Sequence, residues 1–142
     1  MLFLSTHLSN ARYNLASYSF TNNTLEILHD TPLGISTHVA VDSDSKMLYW
    51  IHYTAETEYT VYKTSYGGQS TIIIRGEGDS TDIDITVGMD SFYILDSSKA
   101  TITKYDKETH LKVSALSIAQ TSGSILLIKG KLAHNGSPSW KA

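Results

Sequence analysis

Apolar residues in this 142-residue chain come in short runs rather than long stripes. Leu2-Phe3-Leu4, Tyr13 to Tyr18, Thr24 to Leu28, Val39 to Asp42, Leu48 to His52, Tyr59 to Lys63 and Thr71 to Ile74 follow one another. Ile83 to Thr86, Phe92 to Asp96, Thr101 to Tyr105, Leu111 to Ala115 and Ser124 to Ile128 complete the series. Each run is rich in β-branched or aromatic residues, which suit a pleated, half-buried surface. Between them stand turn formers such as Asp42-Ser43-Asp44-Ser45, Tyr66-Gly67-Gly68, Asp96-Ser97-Ser98 and Ser122-Gly123. No stretch sustains a 3.6-residue apolar period, so the pattern predicts strands throughout and little helix.

The runs also repeat. Val39-Ala40-Val41-Asp42 and Leu48-Tyr49-Trp50-Ile51-His52 return 44 residues later as Ile83-Asp84-Ile85-Thr86 and Phe92-Tyr93-Ile94-Leu95-Asp96, without a gap. Tyr59 to Lys63 then faces Thr101 to Tyr105, and Thr71 to Ile74 faces Leu111 to Ala115. A repeat of about 40 to 45 residues holding four strands is the signature of a β-propeller blade. The expected fold is all-β, a partial propeller of about three four-stranded antiparallel blades. With strands named A to D from the inside of a blade outward, residues 1–33 read as B-C-D, and 34–77 and 78–121 as full blades. Residues 122–142 read as a further A strand, a short B at Lys131-Leu132-Ala133 and a tail. Closed propellers need about four to eight blades, so three cannot close a ring alone. The rival reading is a β-sandwich, to which an ungapped register across two units is foreign.

Composition narrows the function classes. Eleven basic and fourteen acidic residues give a net charge of −3, which argues against a nucleic-acid partner needing a clustered positive face. The chain has no cysteine, which excludes disulfides, thiol nucleophiles and Cys-based zinc sites. Met1-Leu2-Phe3-Leu4 is too short an apolar run for a signal peptide, and no run approaches the ~20 residues of a membrane span. Direct membrane insertion is therefore not expected.

The unit running from Gly34 through Val39-Ala40-Val41-Asp42 to Leu48-Tyr49-Trp50 resembles the YWTD repeat of the low-density lipoprotein receptor family and its relatives. Thr64-Ser65-Tyr66-Gly67-Gly68 resembles the turn that follows in that repeat, and Leu2-Phe3-Leu4-Ser5 the start of a first blade. Ile51-His52 stands where the family has Thr-Asp, while the next repeat keeps Tyr93 and Asp96 but has Ile94 in place of Trp. The resemblance implies a six-bladed propeller type and an extracellular or secreted protein, a glycoprotein or receptor ectodomain that binds protein ligands. Tyr49, Trp50, Tyr93 and Asp96 are its structural motif residues, the aromatics expected to wedge between blades.

Candidate chemistry is sparse. Asp42-Ser43-Asp44-Ser45-Lys46 opens like a calcium loop, but Lys46 holds the fifth place and no Glu stands at the twelfth. A hairpin turn is the simpler reading. His7, His29, His38, His52, His110 and His134 include no pair at metal-ligand spacing. No catalytic residue, metal or cofactor is expected, and the chain reads as no enzyme. Binding should fall to the B–C and D–A loops, at 6–11, 53–58, 97–100, 30–37 and 75–82. There Tyr53, Glu56, Glu58, Glu77, Asp79 and Asp82 form an acidic face with an aromatic anchor, suited to a basic peptide or protein segment. Asn22 and Asn135 begin Asn-x-Ser/Thr glycosylation triplets.

The expectation is a non-catalytic, extracellular-type module for protein recognition or assembly. Two copies could close into one ring as a homodimer, each terminal strand completing the other's opening blade. The alternatives are half of a calcium-dependent, lactonase-like six-bladed hydrolase, and a purely structural oligomerisation module.

Overall fold

The computed structural model describes residues 1–5, 15–30, 34–118, 125–128 and 131–134. Among these residues there are strands and turns and no helix. The strands are β1 (Leu2–Ser5), β2 (Leu15–Ser19), β3 (Thr24–His29), β4 (Ile35–Asp42), β5 (Met47–Ala55), β6 (Glu58–Ser65) and β7 (Ser70–Glu77). They continue as β8 (Ile83–Val87), β9 (Ser91–Asp96), β10 (Thr101–Asp106), β11 (Lys112–Ser117), β12 (Ile125–Ile128) and β13 (Lys131–His134). Every pairing is antiparallel between chain neighbours, giving sheets ordered β1-β2-β3, β4-β5-β6-β7, β11-β10-β9-β8 and β12-β13. The fold is therefore the expected all-β meander of blade-like sheets.

The chain divides into two compact units, Met1–Glu77 and Gly78–Ala142. In the first, β1 lies beside β4, the edge strand of the second sheet. Leu15 and Leu28 of the first sheet pack against Leu48 and Trp50 of the second, with Phe3, Val39, Tyr62 and Tyr66 around them. In the second unit β12 lies beside β8. Its core joins Leu95, Ile102 and Ile118, flanked by Tyr93 and Ala100.

Period-2 geometry explains the packing, because alternate side chains of a strand line opposite faces. Leu48, Trp50 and His52 share one face of β5, and Tyr49, Ile51 and Tyr53 the other. All six are buried. Polar sequence then falls where strands turn. Asp42 accepts from the Ser45 hydroxyl in the β4–β5 turn, so the calcium-loop-like segment is a hairpin turn. Asp96 accepts from the Ser98 hydroxyl at 2.7 Å and the Lys99 amide at 3.0 Å to shape the β9–β10 turn. Asp106 does the same between β10 and β11, accepting from the amides of Glu108 at 2.9 Å and Thr109 at 2.7 Å.

Candidate functional site

The far end of the β5–β6 hairpin and the close of β7 build a recess in the first unit. Strand register places Ala55 opposite Glu58, Glu58 opposite Glu77, Tyr59 opposite Gly76 and Thr60 opposite Arg75. Thr54, Glu58, Tyr59, Thr60, Arg75, Gly76 and Glu77 line an open pocket of about 290 Å³. Gly76 is required by close approach: a Cβ there would sit 2.4 Å from the Tyr59 ring. The ring thus lies across the β7 backbone and forms one wall. Two carboxylates face each other across adjacent strands, an arrangement that repels when both are ionised and that a bound cation would relieve. Arg75, two residues before Glu77, adds a positive charge to the same rim.

Of the residues expected to bind, Glu58 and Glu77 meet at this pocket, and Glu56 stands exposed in the hairpin turn beside it. Tyr53 does not serve as a surface anchor. It is only 3% exposed, with its ring 5.9 Å from that of Tyr59, because its strand is covered on both faces. Asp79 and Asp82 belong to the second unit and shape its backbone. Asp79 accepts from the Thr81 amide and hydroxyl, both at 3.0 Å. These bonds hold its carboxyl below the usual value, the amide bond most of all. Asp82 accepts from the Ser97 hydroxyl at 3.1 Å. The expected acidic face is thus divided between two units. Tyr59, Thr60 and Arg75 join the site only through cross-strand register, which the alternation within β6 and β7 could have supplied.

The other end of the same sheet holds a buried cluster of rings. Trp50 and Tyr62 stack with centroids 4.7 Å apart and 15° between planes. His29 sits edge-on to Trp50 at 4.9 Å and tilted against Tyr62 at 4.8 Å, and His52 lies 5.8 Å from Trp50. Histidine at position 52 is therefore a packing residue inside the blade, not a group at the binding face. A polar chain runs through the cluster. Trp50 Nε1 donates to Thr64 Oγ1 at 2.8 Å, Thr64 Oγ1 meets Ser70 Oγ at 2.8 Å, and Ser70 Oγ meets His29 Nδ1 at 2.9 Å. The Nε2 atom of His29 is buried with no hydrogen-bond partner. Burial, then the neighbouring His52, pulls the His29 pKa below its ordinary 6.5, against a weaker upward pull from Asp30.

The motif residues lie in the packed interior or in a turn. Trp50 wedges between the first two sheets, and Tyr49 is buried beside Lys63, whose ammonium lies 5.6 Å from its ring centre. Burial, helped by Asp42, pushes the Tyr49 hydroxyl up to about 12. Tyr93 flanks the second unit's core, and Asp96 shapes a turn. Asn22 is exposed in the β2–β3 turn, while Asn135, His7 and the 6–11 loop lie outside the described residues. Among the described residues, no three His, Asp or Glu side chains gather as a metal-binding group.

No protein family matches the chain, and no curated protein matches it. Solved structures do share its fold. A structure of a nidogen/laminin complex aligns over 72% of this chain and 38% of that one, with a TM-score of 0.56 and 14% identity. A structure from a study of two prolyl endopeptidases aligns over 85% of this chain and 20% of that one, with a TM-score of 0.58 and 16% identity. The chain thus spans well under half the length of these two chains. Together with the four-stranded meanders, these likenesses define the class: the chain is built of β-propeller blades.

Proposed function

We propose that this chain is a non-catalytic, extracellular-type propeller module of the YWTD kind that recognises a basic segment of another protein. Its contact is the rim around Glu58 and Glu77. The observation that carries this reading is the pair of carboxylates set opposite each other at the mouth of the pocket. A lysine or arginine entering there gains from both charges and lifts their mutual repulsion. A nidogen/laminin complex among the structural neighbours supports a protein-binding use of such a fold. Titrating a lysine-rich peptide into the chain tests it. Binding should weaken as salt rises and fall about tenfold or more when Glu58→Gln and Glu77→Gln are combined. Arg75→Ala should strengthen it. Equal binding by wild type and the double Gln variant would remove the rim from consideration.

A second reading, assembly with another copy, rests on β11. It forms one edge of its sheet, and Leu111, Val113 and Leu116 beside and within it are 67%, 56% and 47% exposed. An apolar edge strand is a ready template for strand addition. Light scattering decides between the readings, since a strict monomer removes self-assembly.

A further inference from the structure

The buried polar chain in the first unit ends on an ionisable ring, and that makes it sensitive to protons. Trp50 Nε1 can only donate, so it fixes the start of the chain at Thr64 Oγ1. If the order continues forward, Thr64 donates to Ser70 and Ser70 donates to His29 Nδ1. Neutral His29 then carries its proton on Nε2, which points into a buried space without a partner. In the reverse order His29 Nδ1 donates to Ser70, and Nε2 is a bare buried acceptor. A neutral ring satisfies the chain either way, with one nitrogen unserved. A protonated ring must donate from both nitrogens, which in the forward order turns the Ser70 hydroxyl around and in either order leaves a cationic N–H buried with no acceptor.

His29 belongs to β3 of the first sheet, whereas its partners lie on β5, β6 and β7 of the second. The same junction is tight in the backbone. Gly68 adopts φ +90° in the β6–β7 hairpin, and a Cβ there would lie 3.2 Å from the carbonyl oxygen of Leu28, the residue before His29. We propose that His29 is an acid-sensitive latch: its neutral ring fastens β1–β3 to β4–β7, and its protonation releases them. Among the described residues the groups that face it are few. His52 of β5 adds like charge when His29 is protonated, Tyr62 of β6 contributes a ring, and β7 offers only the Ser70 hydroxyl. From β2 its cross-strand neighbour is Leu15, and on its own strand end Asp30 gives partial relief.

The sign follows from linkage. Because folding lowers this histidine's proton affinity, the unfastened or unfolded chain binds the proton better. The latch is therefore intact above pH 6.5 and weakens progressively as pH falls below that value toward the folded-state pKa.

Amide exchange on the full chain at pH 7.5 and 5.5, corrected for the intrinsic rate, provides the test. Exchange in β2 and β3 should rise at least about threefold in acid for wild type and stay flat for His29→Phe, which keeps a ring but cannot titrate. The same rise in His29→Phe would overturn the latch, as would no rise in wild type. Should His29→Phe fail to fold, NMR titration of the wild-type His29 ring decides instead. A midpoint below 6.5 that coincides with loss of β3 protection supports the proposal, and a midpoint at or above 6.5 sinks it.

Discussion

The sheets β4–β7 and β8–β11 are one design filled in two ways. Both pair a tyrosine with a lysine at the same cross-strand place, Tyr49 with Lys63 and Tyr93 with Lys104. On the opposite face each has one stacked aromatic pair and one aliphatic–threonine pair, but their positions are exchanged. In the first sheet Trp50 pairs with Tyr62 and Leu48 with Thr64. In the second Phe92 pairs with Tyr105 and Ile94 with Thr103. The exchange keeps the kinds of filler and changes the chemistry. Thr64, though paired with Leu48, lies within reach of the Trp50 indole donor and so starts a polar chain, whereas the aromatic stacked on Tyr105 in the second sheet is Phe92, which has no proton to give. Both blades use the bulk of their aromatics, and in the first an aromatic also gives a proton to the polar chain.

Removing the aromatic filler should have the largest effect on either sheet. Trp50→Ala and Phe92→Ala should each cost about 3–5 kcal/mol in urea unfolding, since both side chains are fully buried. Similar losses would support equal structural roles. A loss below about 1 kcal/mol for Trp50→Ala would mean that the first sheet is held by something else. Exchange in β2 and β3 should rise with Trp50→Ala, because this ring contacts Leu15 and Leu28 as well as its own sheet.

Much of that design was legible in the sequence, because alternation and turn chemistry act locally. The strands fall on the predicted runs, and the 44-residue return of Tyr49 at Tyr93 places both residues at one blade position. Contacts between sheets were not legible. His29 and Ser70 lie 41 residues apart, and no spacing rule joins the end of one sheet to the start of a strand in the next. The site was read in part for the same reason. Glu58 and Glu77 could be named as loop acids, but their opposition depends on the β6–β7 register, and Tyr53 was misplaced because both faces of β5 are covered.

Acid offers a middle-sized test of the difference between the sheets. In β8–β11 the sensitive group is Asp96. Burial alone would raise its pKa, but bonds from the Ser98 hydroxyl and Lys99 amide, with the Lys99 ammonium 3.1 Å away, hold it below the ordinary 3.8. Its stabilisation is thus present above pH 3.8 and is lost as pH falls through the lower folded-state value. Acidification should therefore loosen β2 and β3 below pH 6.5 while the β9–β10 turn holds until the carboxylate range. Asp96→Ala should cost about 1–2 kcal/mol at pH 7 and nothing further at pH 2, read by urea unfolding at both. An equal deficit at pH 2 would mean that Asp96 acts through shape and not charge.

The smallest effect separates the binding rim from the scaffold that carries it. Glu58 and Glu77 stand directly opposite each other on β6 and β7, and like charges so placed weaken a sheet by roughly 0.2–1 kcal/mol. Glu58→Gln removes one of them at an exposed position without changing the side chain's length. Thermal unfolding at low salt should therefore show the variant slightly more stable than wild type, and the gain should shrink as salt screens the pair. The corresponding pair in β10–β11, Thr101 opposite Ser117, carries no charge, so that sheet should show no such salt dependence at this position. A residue kept only for the sheet would lose stability when replaced. A gain in stability joined to a loss of basic-peptide binding would mark Glu58 as one that serves a ligand at the expense of its own blade.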